Sequence, residues 1–173
     1  QLYLRLMSLK ISVITAAFNC KENLLELQDH LKKQTYTNFE WIIVDGDSDD
    51  GTKEFLQTQT LSKNWISEPD NGIYDALNKG IRMASGEVIG FLHSDDIFSS
   101  ENISESINKG FDTNDIDGVY GDLQYVKKND IKDVVRNWKS RPFSKKLLKQ
   151  GWMTAHPTLY IKYKIYENYG LFN

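Results

Sequence analysis

The sequence has a single cysteine, Cys20, so no disulfide forms within the chain, and a lone thiol suits a reducing cytoplasm. It has no apolar run near the roughly 20 residues that a membrane-spanning helix needs. Its first apolar run, ISVITAAF, is too short and wrongly flanked for a secretory signal. It lacks an excess of either charge, with 21 Lys and Arg against 24 Asp and Glu and a net charge of −3. That balance gives no general attraction to nucleic acid. The expectation is a cytoplasmic protein with no integral membrane segment and no nucleic-acid partner.

The chain does have the material for a core. Its 173 residues are 40% hydrophobic and 12% aromatic, enough to bury a proper interior, and this length favours one domain over two. The ordered pattern starts at Lys10, just beyond Met7. Residues 1–9 therefore read as an N-terminal extension, and residues 10–173 as a single domain.

From Lys10 onward, short apolar runs alternate with helical periodicity. ISVITAAF reads as a buried strand and KENLLELQDHLKKQ as a helix with Leu24, Leu27 and Leu31 on one face. FEWIIVD is a second strand, after which Asp49, Asp50 and Thr52 offer capping oxygens to a helix beginning near GTKEFLQ. NWISE is a shorter third strand. NGIYDALNKGIRMASG is a helix with Ile73, Leu77, Ile81 and Ala84 in register and Gly86 as its C-terminal cap, and EVIGFLH is the fourth strand. Strand and helix alternating this regularly predict an α/β fold, Rossmann-like, with a mostly parallel sheet flanked by helices.

In such a sheet, ligands bind at the carboxyl ends of the strands. The first predicted strand ends at Thr15 to Asn19, the second at Asp45 with GDSDDGT, and the fourth at His93, Ser94, Asp95 and Asp96. Taken singly, Asp45 and Asp47 would be turn formers, and Asp95 and Asp96 a solvated pair or a helix cap. Polar clusters at successive strand ends of one α/β unit need more than chance loops. Two adjacent carboxylates after an apolar strand require water, a hydrogen-bonding partner or a cation.

The segments ISVITAAFNCKENL, FEWIIVDGDSDDGT, DNGIYDALNKGIRMASGEVIGFLHSDD, DGVYGD and HPTLYIKYKIYENYGLFN, in this order and spacing, resemble the family 2 glycosyltransferases, nucleotide-diphospho-sugar transferases of GT-A fold. The resemblance covers nearly all of residues 10–173. It implies an inverting, metal-dependent, hexosyltransferase-type enzyme that moves a sugar from a nucleotide-diphosphate donor, a UDP-sugar being favoured, to a glycan or lipid-linked acceptor in bacterial surface polysaccharide synthesis. Thr15, Ala16 and Ala17 would lie against the base and Asp45 would accept from a uracil-like edge. Ser94 and Asp95 would lie in the family's Asp-x-Asp motif, with Asp95 and Asp96 facing Mg2+ or Mn2+. His93 stands where the family often has Asp.

The resemblance also implies a general base in a carboxylate motif placed after a segment like YENYGLFN. The chain stops at Asn173, so the expected base lies beyond it or is replaced, with Asp122 and His156 as weak candidates. The C-terminal part of the domain is then expected to be missing, and a catalytically impaired nucleotide-sugar-binding fragment is the alternative reading. A sugar nucleotidyltransferase would need a glycine-rich loop after the first strand, and TAAFNCKEN has no glycine.

Residues 127–149 carry nine Lys and Arg against Asp130 and Asp133, interleaved with Trp138, Phe143, Leu147 and Leu148. The pattern predicts weak peripheral contact with an anionic membrane face. The plain alternative is a solvated helix with its apolar residues on the core.

Overall fold

The computed structural model describes residues 8–112 and 115–173. Strands β1 (Ile11–Ala17), β2 (Phe39–Asp45), β3 (Asn64–Ser67) and β4 (Val88–Phe91) alternate with helices α1 (Lys21–Lys32), α2 (Thr52–Thr58) and α3 (Ile73–Met83). There follow α4 (Ile103–Asp112), β5 (Gly118–Val119), β6 (Leu123–Lys127), β7 (Asp130–Trp138), α5 (Lys145–Lys149), a 3-10 turn at His156–Thr158, β8 (Tyr160–Lys162) and α6 (Tyr163–Tyr169).

Six strands form one sheet in the order β3-β2-β1-β4-β8-β5, while β6 and β7 form a separate two-stranded ribbon. β1 lies parallel to β2 from Ile11↔Phe39 to Ala17↔Asp45, and parallel to β4 on its other side. β2 and β3 are also parallel, and β8 runs antiparallel between β4 and β5. The mostly parallel, helix-flanked sheet expected from the sequence is present.

Both faces of β1 are covered, so its side chains are apolar almost throughout. The period of two sends Ile11, Val13, Trp41 and Ile43 to one face, where Leu24, Leu27 and Leu31 of α1 and Leu56 of α2 meet them. Ile14, Ile42 and Ile89 face the other way, onto Leu77 and Ile81 of α3. Each fully buried leucine contributes about 1.5–3 kcal/mol relative to exposure. Of the expected extension, residues 1–7 lie outside the described region. Leu9 is buried, with its N–H donating to Asn108 Oδ1 at 3.0 Å.

At the amino end of β2, Glu40 ties three segments together. Its carboxylate accepts from Lys10 Nζ (3.0 Å), Ser12 Oγ (2.6 Å), the Ser85 N–H (2.7 Å) and Asn64 Nδ2 (3.1 Å). Burial pushes this carboxyl up, but the hydrogen bonds from Ser12, Ser85 and Lys10 outweigh it and hold Glu40 down at about 2.

Three local expectations are corrected. Ile73, expected on the buried face of α3, is 51% exposed in its first turn. Gly86 does not cap α3, which ends at Met83 and passes through an extended Ala84. Gly86 serves close approach instead, because a Cβ there would lie 2.7 Å from the Lys10 carbonyl and 2.8 Å from Ser12 N. Residues 127–149 are not a solvated helix. The partly β-branched residues of β6 and β7 pair as a ribbon with irregular register at Tyr125 to Lys127, and only the five residues of α5 are helical. Among the described residues no helix is long and apolar enough to cross a membrane.

Candidate active site

Because β1, β2 and β4 are adjacent and parallel, the turns that follow them converge on one rim of the sheet. The first two are laced together. Asn19 N–H donates to Ser48 Oγ at 2.8 Å, Asp49 N–H to Asn19 Oδ1 at 3.0 Å, and Lys21 N–H to Asp50 Oδ2 at 3.0 Å. Asn19 and Asp47 take positive φ values of 48° and 71°, a conformation that non-glycine residues adopt rarely and that recurs at ligand sites. Asp50 also accepts from the Thr52 N–H at 3.0 Å, giving α2 its first-turn acceptor although Gly51 occupies the cap position.

Asp45 is fully buried behind this rim. Its Oδ2 accepts from the Ser48 N–H (3.1 Å) and Ser67 Oγ (2.6 Å), and its Oδ1 accepts from Ser48 Oγ. Thr15 is also fully buried. Its hydroxyl donates to the Leu92 carbonyl at 2.7 Å and accepts from Trp41 Nε1 at 2.9 Å, stitching β1 to the chain leaving β4. Ala16 is half-buried, and Ala17 is buried with its carbonyl accepting from Gly46 N at 2.9 Å.

After β4 the chain turns at His93 to Asp96, closed by the Asp96 N–H donating to the His93 carbonyl at 3.0 Å. Ser94 is half-buried beside Cys20, whose thiol is pushed up by burial against the pull of the Ser94 hydroxyl. Asp95 is exposed and Asp96 half-buried. Burial first, and then the Asp95 charge, raise the Asp96 carboxyl above its ordinary value.

Both carboxylates line a cavity of about 880 Å³ that runs beneath the β6–β7 ribbon. Asp122 shares this cavity, along with Phe98, Ile107, Val119 and Trp138. Asp122 is exposed and holds Lys139 Nζ at 2.7 Å and the Ser140 N–H at 2.9 Å, which keep its carboxyl below the ordinary range. The structure thus groups Asp95, Asp96 and Asp122 around one cavity. Thr15, Ala16, Ala17, Asp45, Ser94 and His156 are not among its lining residues.

His156 is half-buried in an aromatic cluster. Its ring lies 5.5 Å from Phe91, 5.8 Å from His93 and 6.3 Å from Phe172, centre to centre. Burial and the neighbouring His93 lower its tendency to protonate. Sequence reasoning missed what holds Phe172 there. Asn78 of α3 donates from Nδ2 to the Phe172 carbonyl at 2.8 Å and accepts the Phe172 N–H at 3.0 Å, and an amide on an otherwise amphipathic helix was the available signal. It also missed Ser48 and Ser67, and Tyr160, a cavity-lining residue whose buried hydroxyl meets no partner among the described residues.

Among the described residues no group of three or more His, Cys, Asp or Glu is placed to hold a metal ion. The Asp95–Asp96 pair fits a hard cation in another way, because Mg2+ and its relatives are commonly held by one or two carboxylates together with substrate phosphates and water. The mutual repulsion already expressed at Asp96 is what a cation would relieve.

The model described as Glycosyl transferase family 2 matches residues 12–167. The chain is 34% identical over 128 residues to the glycosyltransferase GlyG of Streptococcus pneumoniae, covering 72% of this chain and 42% of that protein. It is 30% identical over 125 residues to the UDP-Glc:alpha-D-GlcNAc-diphosphoundecaprenol beta-1,3-glucosyltransferase WfgD of Escherichia coli, covering 70% and 48%. Among solved structures it superposes on the mannosyltransferase PcManGT from Pyrobaculum calidifontis in complex with GDP-Man and Mn2+, with a TM-score of 0.69 and 20% identity over 94% of this chain and 47% of that one. That likeness shows the GT-A fold. The chain spans less than half the length of each of these proteins.

Proposed function

The chain belongs to glycosyl transferase family 2, and from that premise we propose that it transfers a hexose, with inversion, from a nucleotide-diphosphate donor to a glycan or lipid-linked acceptor in bacterial surface polysaccharide synthesis. The observation that carries this reading is the Asp95–Asp96 pair, set on the turn after β4 and opening onto the cavity shared with Asp122. The lone Cys20 thiol and a nucleotide donor both suit a cytoplasmic setting.

In this reading Ala16 and Ala17 form the wall against the base, Thr15, fully buried and bonded to Leu92 and Trp41, backs that wall, and Ser94 approaches the diphosphate. A carboxylate offers about four acceptor sites, and Ser48 and Ser67 occupy three at Asp45. One remains for a ring N–H. Since Asp45 is fully buried, a base reaches it only as the Ser67 hydroxyl or the loop from Gly46 to Gly51 moves aside. Asp95 and Asp96 are the residues that would hold Mg2+ or Mn2+ beside the donor diphosphate. When bound there, the cation supplies Lewis-acid stabilisation of the departing nucleoside diphosphate. Attack by an acceptor hydroxyl needs a base. Asp122, neutralised by Lys139, is assigned an acceptor-contacting role, and His156, enclosed by aromatic rings, a structural one.

The name of WfgD specifies UDP-Glc and that of PcManGT specifies GDP-Man, and UDP is the favoured nucleotide here. Calorimetric titration of UDP, GDP and dTDP, first with Mn2+ and then with EDTA, tests the reading. UDP should bind only with the metal, and Asp95→Ala should weaken it by at least the roughly 10- to 100-fold typical of losing a metal-supporting group, with the fold unchanged. Unchanged UDP affinity in Asp95→Ala would remove the metal assignment. Absence of binding by any nucleotide would remove the donor site, and binding without transfer would leave a nucleotide-sugar-binding unit.

A further inference from the structure

The transfer reading uses one residue of the basic segment, Lys139 beside Asp122, and leaves the rest of it without a role. We infer that the β6–β7 ribbon together with α5 is a docking surface for an anionic lipid membrane. Residues 127–149 carry +7 in a chain whose net charge is −3, so the remainder carries −10. The positive charge is therefore segregated on one part of the molecule.

Only two of the nine cations in this segment are neutralised. Lys127 pairs with Asp133 at 2.6 Å and Lys139 with Asp122 at 2.7 Å, and the other seven make no ion pair among the described residues. Arg136 is held in place, its guanidinium 5.6 Å from the centre of the Tyr125 ring and 5.4 Å from that of Trp138. Stacking of this kind orders a cation while leaving its N–H edges free for phosphate oxygens.

Apolar groups are exposed in the same place. Seven of the twelve large hydrophobic side chains exposed among the described residues fall between Tyr125 and Met153, including Val135 at 65%, Phe143 at 59% and Met153 at 68%. On α5, Leu148 projects among Lys145, Lys146 and Lys149, and all four are exposed. Aliphatic and aromatic groups interleaved with unpaired cations suit the boundary between headgroups and acyl chains. A nucleic acid would match the charge but leave the aliphatic groups Ile131, Val135 and Leu148 in water.

Docking requires no donor site, so it stands apart from the transfer reading. One consequence does rest on that reading. Gln124, Ile131 and Asn137 of the ribbon line the cavity that holds Asp95 and Asp122, so a membrane resting on the ribbon would bring a lipid-linked acceptor to the cavity.

The test is co-sedimentation of the chain with vesicles of phosphatidylcholine alone and with vesicles that also carry phosphatidylglycerol. Binding to the anionic vesicles should exceed that to neutral ones by at least about tenfold at low ionic strength and weaken in high salt. The triple variant Lys145→Glu, Lys146→Glu, Lys149→Glu should fall to the neutral level, and Val135→Asp should bind the anionic vesicles more weakly than wild type. Circular dichroism and UDP titration of both variants should match wild type, which separates failure of docking from failure of the fold or the donor site. Equal partition to both vesicle types, no partition to either, or anionic binding that survives the triple substitution would each overturn the inference. So would self-association in sedimentation velocity that the triple substitution abolishes, since the face would then belong to a second copy of the chain.

Discussion

Between β1 and α3 the polar side chains bond chiefly to one another. Asp45 is closed off by Ser48 and Ser67, Thr15 by Leu92 and Trp41, and the two turns share bonds through Asn19 and Asp50. Between Gly121 and Gly151 the polar side chains face water. Every residue of β7 except Trp138 is exposed, and the ribbon pairs only with itself. The first region is held by its own bonds without any ligand, so in the transfer reading a base gains Asp45 only by displacing some of them. The second presents exposed side chains suited to a broad, nonspecific surface. The same residue types thus serve opposite ends, and burial with mutual bonding decides which.

The comparison breaks or sharpens most readily at Asp45. Asp45→Ala leaves three donors, two of them buried, without their acceptor and should cost about 3 kcal/mol, read as a lowered midpoint in urea denaturation. A loss under about 1 kcal/mol would mean that the rim does not depend on its own bonds. Glu40 tests the opposite end of the same strands. Its folded value of about 2 lies below its ordinary 4.5, so its ionised network adds stability above the ordinary value. That stability, of order 3 kcal/mol, is lost as pH falls through about 2. Glu40→Gln should flatten this part of the curve of stability against pH, and an unaltered acid limb would dismiss the network.

Gly90 lies where the parallel strands meet β8. A Cβ there would come within 2.0 Å of the Tyr160 ring, so Gly90→Ala should cost about 1–3 kcal/mol by overpacking, seen as a lower calorimetric Tm. At the far end of the scale, Val135→Ala on the ribbon should stay within about 0.5 kcal/mol. A larger loss would show that the ribbon is part of the cooperative fold.

The same contrast governs what was legible in the sequence. β1, β2, β4 and α1 were readable nearly to the residue, because fully buried elements carry unbroken apolar runs or a strict helical face. The strand-end rule placed Asp45 at the end of β2 and Asp95 just beyond β4, and both stand there. β5 and β8 were not readable, since Gly118–Val119 and Tyr160–Lys162 are too short to show a period and become strands only by pairing, β8 with β4 and β5 with β8. The ribbon was hidden because a strand exposed on both faces has no apolar alternation, only β-branched residues among charges. Gly86 looked like a helix cap because sequence does not reveal that β1 passes within reach of it. The Asn78 clasp on Phe172 joins residues far apart in sequence, so the lone amide on α3 signals that a partner exists without saying which.

The position of β8 also has a consequence for the order of events during synthesis. β4 gains its second neighbour only from Tyr160–Lys162, far downstream in the chain. As the polypeptide leaves the ribosome, β4 joins the row β3-β2-β1 at its end, while its outer edge, an apolar Val-Ile-Gly-Phe run, stays unpaired. An open apolar edge templates association between chains. Nascent chains stalled before residue 160 should therefore aggregate, and those extended past α6 should not.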